Sequence, residues 1–295
     1  MSAWNGGRPT RRTVLVRGGQ AAVALAIARM SPLFAAPSSR WFKIGGCEWM
    51  LGKCAPSSLE LAKRIGLDGI QLGMGTGADG VDLRKPEVQQ AYLKAAKATG
   101  MGISSASLAW TNAMPLKSDP RAAQWLADSI DAGKALGLPM IMPACFGRGD
   151  LDMANAKEID HLVAVLKSAA PKAEKEGVLL GLESYLSAED NLKILERVGS
   201  PAIRVYYDVG NSTDKGRDIL KEIRTLGKLI CELHAKDGRY MLGQGRIDFR
   251  QVRKALDDVD YSGWLQLEAA VPHELIADYT ANCKYLKAIF PSRVG

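Results

Sequence analysis

A repeated unit of an amphipathic helix, a glycine and a short apolar strand constrains the fold of this sequence more than any other feature. Glycine can end a helix in the left-handed conformation without steric cost. It follows six helix-like segments, at Gly66, Gly100, Gly137, Gly177, Gly199 and Gly227. The segments after these glycines are almost continuously apolar, which is typical of parallel strands that are covered by helices on both faces. The pattern predicts alternating helices and parallel strands.

Eight such strands can be identified from residue 41 onward. They are FKIGGCEW, GIQLGMG, GISSASLAW, MIMPACFG, VLLGLES, AIRVYYDVG, LICELHAKD and GWLQLE. Eight alternating units over roughly 250 residues are typical of a (β/α)8 TIM barrel. A doubly wound open sheet is the alternative, but no GxGxxG motif follows an early strand in the context that such sheets require. We therefore predict an α/β fold, a TIM barrel over residues 41–290.

Three local expectations follow from the same pattern. The helix around residues 159–175 contains Pro171, and proline inside a helix removes a hydrogen bond and clashes with the preceding turn, so we expect a kink or break there. Ser187 precedes AEDNLKILERVG and is expected to cap that helix. The longest loop is expected at residues 236–248, after the seventh strand.

Residues 1–36 predict a signal peptide of the twin-arginine type. The paired Arg11-Arg12 precedes a weakly apolar run, residues 21–28, and small residues then extend to Ala36. A basic region, an apolar region and a small-residue end are the elements of an export signal, which predicts a periplasmic or secreted protein. The apolar run is too short, and too interrupted by Arg29, to span a bilayer. The alternative is a basic leader on a cytoplasmic enzyme.

Charge and cysteine content narrow the function classes. The formal net charge is +7, but residues 1–36 contain five arginines and no acidic residue, so the barrel segment is nearly neutral. A near-neutral domain argues against a nucleic-acid partner. The five cysteines are scattered without CxxC spacing, so they predict no disulfide framework. A homo-oligomer is left open.

Four consecutive strands in the second half each end near a residue that can bind a metal: Glu183, Asp208, His234 and Glu268. The carboxyl ends of barrel strands meet on one face, so we expect these side chains to converge. Each residue alone is more often a solvated strand end, an ion-pair partner or a core histidine, but the recurrence favours a site. Two glutamates, an aspartate and a histidine suit Mn²⁺, Mg²⁺ or Co²⁺ better than a structural zinc ion.

The segments LES, YYDVGN, LHAKD with a following GQG, and GWLQLE resemble the sugar phosphate isomerase/epimerase group of xylose isomerase-like TIM barrels. The likeness extends over residues 42–289, and its second half is the specific part. It implies one divalent metal ion, most commonly Mn²⁺ with Mg²⁺, Co²⁺ or Zn²⁺ as alternatives, bound by Glu183, Asp208, His234 and Glu268. It also implies that Glu183 and Glu268 act as catalytic acid and base.

Such a site suits an isomerase or epimerase that acts on a sugar or keto-sugar. Removal of a proton beside a carbonyl creates an enediolate, whose charge a chelating cation can stabilise while two carboxylates exchange protons with the carbon. Lys236 and Arg239 are expected to bind a substrate hydroxyl or phosphate. Asn211 and Gln71 are further expected substrate contacts. Histidine and glutamate are frequent at these two positions in the family, and the differences leave the substrate open.

Other functions compatible with the pattern are a lyase or dehydratase that acts on a keto-sugar, inositol or glycoside derivative, and a non-catalytic carbohydrate-binding barrel. A DNA-repair endonuclease shares the barrel but needs several zinc ions and many histidines. This sequence has three, His161, His234 and His273, which argues against that activity. His161 is expected on a helix, and His273 at the surface, with a contact to the site left open.

Overall fold

A computed structural model of the chain describes residues 41–52, 54–77 and 81–292. In these residues eight parallel strands close into a barrel in sequence order, and the last strand pairs with the first. This confirms the predicted (β/α)8 fold. The strands are β1 Phe42–Cys47, β2 Gly69–Gly73, β3 Gly102–Leu108, β4 Met140–Cys145, β5 Leu179–Ser184, β6 Ile203–Asp208, β7 Ile230–Ala235 and β8 Gly263–Leu267. The predicted signal peptide lies outside the described residues.

An α-helix follows every strand, and β6 is followed by two. The helices in the described ranges are α1 Ser58–Ile65, α2 Pro86–Thr99, α3 Ala122–Leu136, α4 Ala156–Glu176, α5 Ala188–Val198, α6 Val209–Asp214, α7 Ile219–Leu226, α8 Phe249–Asp258 and α9 Leu275–Ile289. Short 3₁₀ turns follow β1, β3 and β4, and a further one precedes β7. No helix among the described residues is long and apolar enough to cross a membrane.

The helix ends agree with the sequence signals, whereas one expectation about the interior of a helix is not met. All six predicted glycines have positive φ, and the Ser187 hydroxyl accepts a hydrogen bond from the backbone N–H of Asp190, as expected of a cap. Of the expected kink or break at Pro171, the break is wrong, because α4 continues through this residue, and the kink stays a prediction. Pro171 and Lys167, the residue four positions earlier, are both exposed. The carbonyl group that loses its hydrogen bond can therefore be solvated by water.

The barrel interior differs from the usual filling of branched apolar side chains. On one side, the Gln266 amide donates hydrogen bonds to Ser104 and to the carboxylate of Glu232, and Ser105 donates a further one to Glu232. A Cβ atom at Gly45 on β1 would collide with the Gln266 side chain, so a larger residue there would require this amide to shift. The other side is apolar and contains Met140, Met142, Ala144 and Tyr206, with Trp49 and Phe146 packed against them.

Candidate active site and metal centre

Three of the four predicted metal ligands converge at the carboxyl ends of adjacent strands. Glu183 lies on β5, Asp208 ends β6 and His234 lies on β7, and one ligand atom from each lies within 4.8 Å of the others. The His234 Nδ1 atom is 2.8 Å from the Glu183 Oε1 atom and 3.7 Å from the Asp208 Oδ2 atom. All three side chains are buried. The structure thus brings these residues together as the strand-end pattern predicts.

Glu268 follows β8 directly and lies at the edge of this cluster. Its Oε2 atom is 3.7 Å from the His234 Nδ1 atom, and its side chain is 19% exposed. The Oε1 atom accepts a hydrogen bond of 3.1 Å from the indole N–H of Trp49. The Oε2 atom also contacts the Lys236 ammonium group at 2.7 Å. Trp49 and Lys236 therefore fix this carboxylate beside the cluster, and its role as the fourth ligand stays a prediction.

The orientation of Asp208 is set by the helix that follows it. Its Oδ1 atom accepts a hydrogen bond of 2.8 Å from the backbone N–H of Asn211 and so caps α6. The Oδ2 atom is consequently directed toward His234, and it is buried without a hydrogen-bond partner. The Lys236 ammonium nitrogen, 2.8 Å away, compensates the negative charge of this carboxylate oxygen. A buried carboxylate oxygen without a hydrogen bond is costly, and a cation offsets this cost.

His234 is held from behind by Gln71. Its Nε2 atom lies 2.8 Å from the Gln71 Oε1 atom, to which the Tyr206 hydroxyl also donates at 3.2 Å. Gln71 is fully buried at the second strand, behind the imidazole ring. The structure therefore gives this predicted substrate contact a direct partner in His234, and the Nδ1 atom of the ring faces the carboxylates.

The electrostatics of the cluster favour added positive charge. Burial raises the pKa of Glu183. Burial alone would lower the pKa of His234, but the surrounding acidic groups, Glu183 among them, outweigh burial and raise it well above its usual value. Burial likewise opposes the charged form of Lys236, yet the carboxylates of Asp208 and Glu268 raise its pKa. Carboxylate oxygens around one imidazole nitrogen fit a hard divalent cation.

The other predicted residues lie at different distances from this centre. Asn211 is half-buried, and its backbone N–H is joined to Asp208. Arg239 is exposed, and its guanidinium group lies over the Tyr240 ring at 5.4 Å. His161 lies on α4 as expected. His273 is at the surface, and its Nδ1 atom is 3.1 Å from Asp278, so it does not belong to the cluster.

Two aromatic residues of the site were missed by the sequence analysis. Trp49 donates a hydrogen bond to Glu268, and the centroid of its ring is 6.0 Å from that of the His234 ring. The Tyr206 ring centroid is 4.5 Å from that of His234. Trp49 stands just past the first strand, at the strand-end position that the ligands occupy, and this was a usable signal. Tyr206 lies inside a strand and gave none.

The fold and the cluster define a (β/α)8 barrel with a carboxylate–histidine site at the carboxyl ends of its strands, suited to a divalent cation. The chain belongs to the xylose isomerase-like TIM barrel family, whose model matches residues 59–289.

Several named relatives of this chain are epimerases. It is 29% identical over 224 residues to a 2-epi-5-epi-valiolone 7-phosphate 2-epimerase of Actinoplanes sp., covering 72% of this chain and 82% of that protein. It is 28% identical over 220 residues to a putative L-ribulose-5-phosphate 3-epimerase of Escherichia coli, covering 70% of this chain and 77% of that protein. Among solved structures, an L-ribulose 3-epimerase has the same fold, with a TM-score of 0.71 at 20% identity, covering 83% of this chain and 93% of that one.

Proposed function

We propose that this protein is a divalent-metal-dependent isomerase or epimerase that acts on a sugar or keto-sugar through an enediolate. The observation that carries the proposal is the convergence of Glu183, Asp208 and His234 within 4.8 Å, with Glu268 beside them. The names of the relatives support the substrate class. Glu183, Asp208, His234 and Glu268 would hold the metal ion, with Mn²⁺ as the first candidate.

The two glutamates are proposed to exchange protons with the substrate carbon. A divalent cation bound in the cluster would act as a Lewis acid that stabilises negative charge on the substrate oxygens. Glu183 is buried, and burial raises its pKa. Glu268 is more exposed, and Trp49 holds its Oε1 atom in place. The two carboxyl groups thus differ in environment, as an acid and a base require.

Lys236 is proposed to bind substrate oxygen as an ammonium group. Burial opposes its charged form, but the Asp208 and Glu268 carboxylates raise its pKa, which favours the ammonium form that donates hydrogen bonds. Arg239 and Asn211 remain proposed substrate contacts from the loops around the site. Phe146 and Tyr185, whose ring centroids are 4.6 Å apart, provide aromatic surface at the ends of β4 and β5 for the apolar faces of a sugar.

The proposal is tested by incubating the purified protein with a panel of ketoses and keto-sugars in D₂O, with Mn²⁺ and with EDTA. We expect a metal-dependent change of configuration or carbonyl position, with deuterium incorporated at the affected carbon. Elimination products would instead identify a lyase. No deuterium exchange on any member of a broad panel, from protein shown to contain metal, would argue against proton-transfer chemistry at this site.

We also propose that the protein is exported, because Arg11-Arg12 precedes the apolar run. N-terminal sequencing of protein from its native source should find a start near Ala36. Intact residues 1–36 on protein from the cytoplasmic fraction would contradict export.

A further inference from the structure

Gln71 makes a set of contacts that the proposed function does not use. Its Oε1 atom lies 2.8 Å from the His234 Nε2 atom, 3.2 Å from the Tyr206 hydroxyl and 3.6 Å from the Cys47 sulfur. Its Nε2 atom faces the Met142 sulfur at 3.5 Å. The side chain has no exposed surface. Its amide group is therefore set entirely by protein neighbours, and its oxygen is directed at His234.

The neighbours determine which end of the amide faces the imidazole. The Tyr206 hydroxyl and the Cys47 thiol can both donate a hydrogen bond, and the Met142 thioether can only accept one weakly. With the amide reversed, its oxygen would lie against the thioether sulfur, and two acceptors would face each other. The observed orientation places the carbonyl oxygen toward the donors and the N–H groups toward the sulfur. This arrangement satisfies both ends of the amide.

A carbonyl oxygen can only accept, so the His234 Nε2 atom must carry the proton that is shared with Gln71. The Nδ1 atom is then the ring nitrogen that can give up its proton and bind a metal through its lone pair. It is also the atom that lies 2.8 Å from Glu183 and 3.7 Å from both Asp208 and Glu268. The hydrogen bond of the second ring nitrogen commonly sets the tautomer and ring orientation of a histidine ligand.

We infer that Gln71 is a positioning residue that fixes the Nε2–H tautomer of His234 and thereby prepares its Nδ1 atom for a divalent cation. The inference rests on the metal site of the proposed function. Tyr206 supports Gln71, because its hydroxyl donates to the same oxygen. A neutral acceptor here also adds no negative charge to a cluster that already contains three carboxylates.

The test compares the dissociation constants of Mn²⁺ and Zn²⁺, measured by competition with a chromophoric chelator, in the wild type and in four variants. Gln71→Met fills a similar volume without an acceptor and should weaken binding by about 10- to 100-fold, as other losses of such hydrogen bonds do. Gln71→Glu keeps an acceptor and should bind at least as tightly as the wild type. Tyr206→Phe keeps the ring and should show a smaller loss than Gln71→Met. Met142→Leu, which removes the thioether contact on the amide nitrogen, should bind like the wild type.

The tautomer itself is read by long-range ¹H–¹⁵N NMR of ¹⁵N-histidine-labelled, Zn²⁺-loaded protein. Replacing His161 and His273 with glutamine leaves the signals of His234 alone. We expect a protonated Nε2 atom and a metal-bound Nδ1 atom. Wild-type affinity in Gln71→Met, an equal loss in Gln71→Glu, or metal on the Nε2 atom would each overturn the inference. Wild-type protein that binds neither ion would instead contradict the metal site of the proposed function.

Discussion

The ammonium nitrogen of Lys236 lies 2.7 Å from the Oε2 atom of Glu268. It also lies 2.8 Å from the Asp208 Oδ2 atom. These two oxygens are the ones that lie 3.7 Å from the His234 Nδ1 atom. Lys236 thus supplies a positive charge to the same carboxylate oxygens that would bind a metal ion. It helps to neutralise the cluster, and it also competes with a cation bound there.

Lys236→Met should therefore separate metal binding from catalysis. Removing the ammonium group frees two carboxylate oxygens and removes the repulsion between this group and a bound Mn²⁺ ion. The interaction of two unit charges at about 4 Å is worth roughly 1–4 kcal/mol. We expect Mn²⁺ to bind tighter by about tenfold or more, while turnover of a confirmed substrate falls. Isothermal titration with Mn²⁺ and steady-state kinetics at saturating metal measure the two effects.

Lys215→Met is the matched control for this prediction. Lys215 lies over the Tyr185 ring at 4.3 Å, so its replacement makes the same change in net charge without removing a described contact to the carboxylates. It should leave Mn²⁺ affinity nearly unchanged. If Lys236→Met binds Mn²⁺ more weakly than the wild type, Lys236 supports the ligands and does not compete for them.

Trp49→Phe should impair Glu268 selectively. The substitution keeps an aromatic ring next to His234 but removes the indole N–H that donates to the Glu268 Oε1 atom. A hydrogen bond to a charged group contributes about 1.5–3 kcal/mol, so we expect kcat to fall by at least about tenfold. Metal affinity should change far less, because Glu183, Asp208 and His234 do not contact this N–H. Trp110→Phe, in the 3₁₀ turn that follows β3, is the control. Equal effects of the two substitutions on kcat would show that Trp49 acts by packing alone.

Glu232 makes stability depend on pH. Burial raises its pKa to about 7 in the folded protein, even though Gln266 and Ser105 donate hydrogen bonds to it, and the unfolded value is about 4.3. Between these two pH values the folded state holds a proton that the unfolded state has lost. The free energy of unfolding therefore falls as pH rises through this window, and the full penalty is present above about pH 7.

Glu232→Gln should remove this pH dependence. At each pH, the free energy of unfolding of the wild type is subtracted from that of the variant. We expect this difference to be higher at pH 8 than at pH 5 by on the order of 1–3 kcal/mol. Urea unfolding of metal-free protein at the two pH values measures this difference, in which effects of the substitution that do not depend on pH cancel. Glu60→Gln, on the exposed face of α1, is the control. The prediction fails if the two variants show the same difference between pH 5 and pH 8.

The barrel and most of the metal cluster could be predicted because both depend on local, periodic signals. Apolar strands between helices determine the topology. Closure of the barrel brings the carboxyl ends of all strands to one face, so residues at strand ends such as Asp208 and His234 meet there. The contact between Gln71 and His234 joins β2 to β7 across the barrel, and no spacing along the chain encodes it. Glu232 lies in an apolar run, and the polar partners that accommodate it come from β3 and β8. Helix α4 can continue through Pro171 because this part of the helix is exposed to solvent. Helix propensity carries no information about that exposure.

Substitutions of the four predicted ligands should separate metal binding from proton transfer. Asp208→Ala and His234→Ala remove ligands with no proposed proton-transfer role, so metal and activity should be lost together, and excess Mn²⁺ should restore part of both. Glu183→Gln and Glu268→Gln keep a ligating oxygen but remove a base, so metal should persist at lower affinity while turnover falls by about 10²–10⁴-fold.

The isotope pattern assigns each glutamate to one side of the substrate carbon. If Glu183 and Glu268 face opposite sides, each single Glu→Gln variant should exchange the substrate proton with D₂O from one of the two epimers only. The wild type should exchange it from both. Metal content measured on the same samples excludes simple loss of the ion. A metal-loaded double Glu→Gln variant with near-normal turnover would contradict a two-carboxylate mechanism. Lys236 would then be the next candidate base, because that variant lacks the Glu268 carboxylate, which helps to raise the Lys236 pKa in the wild type.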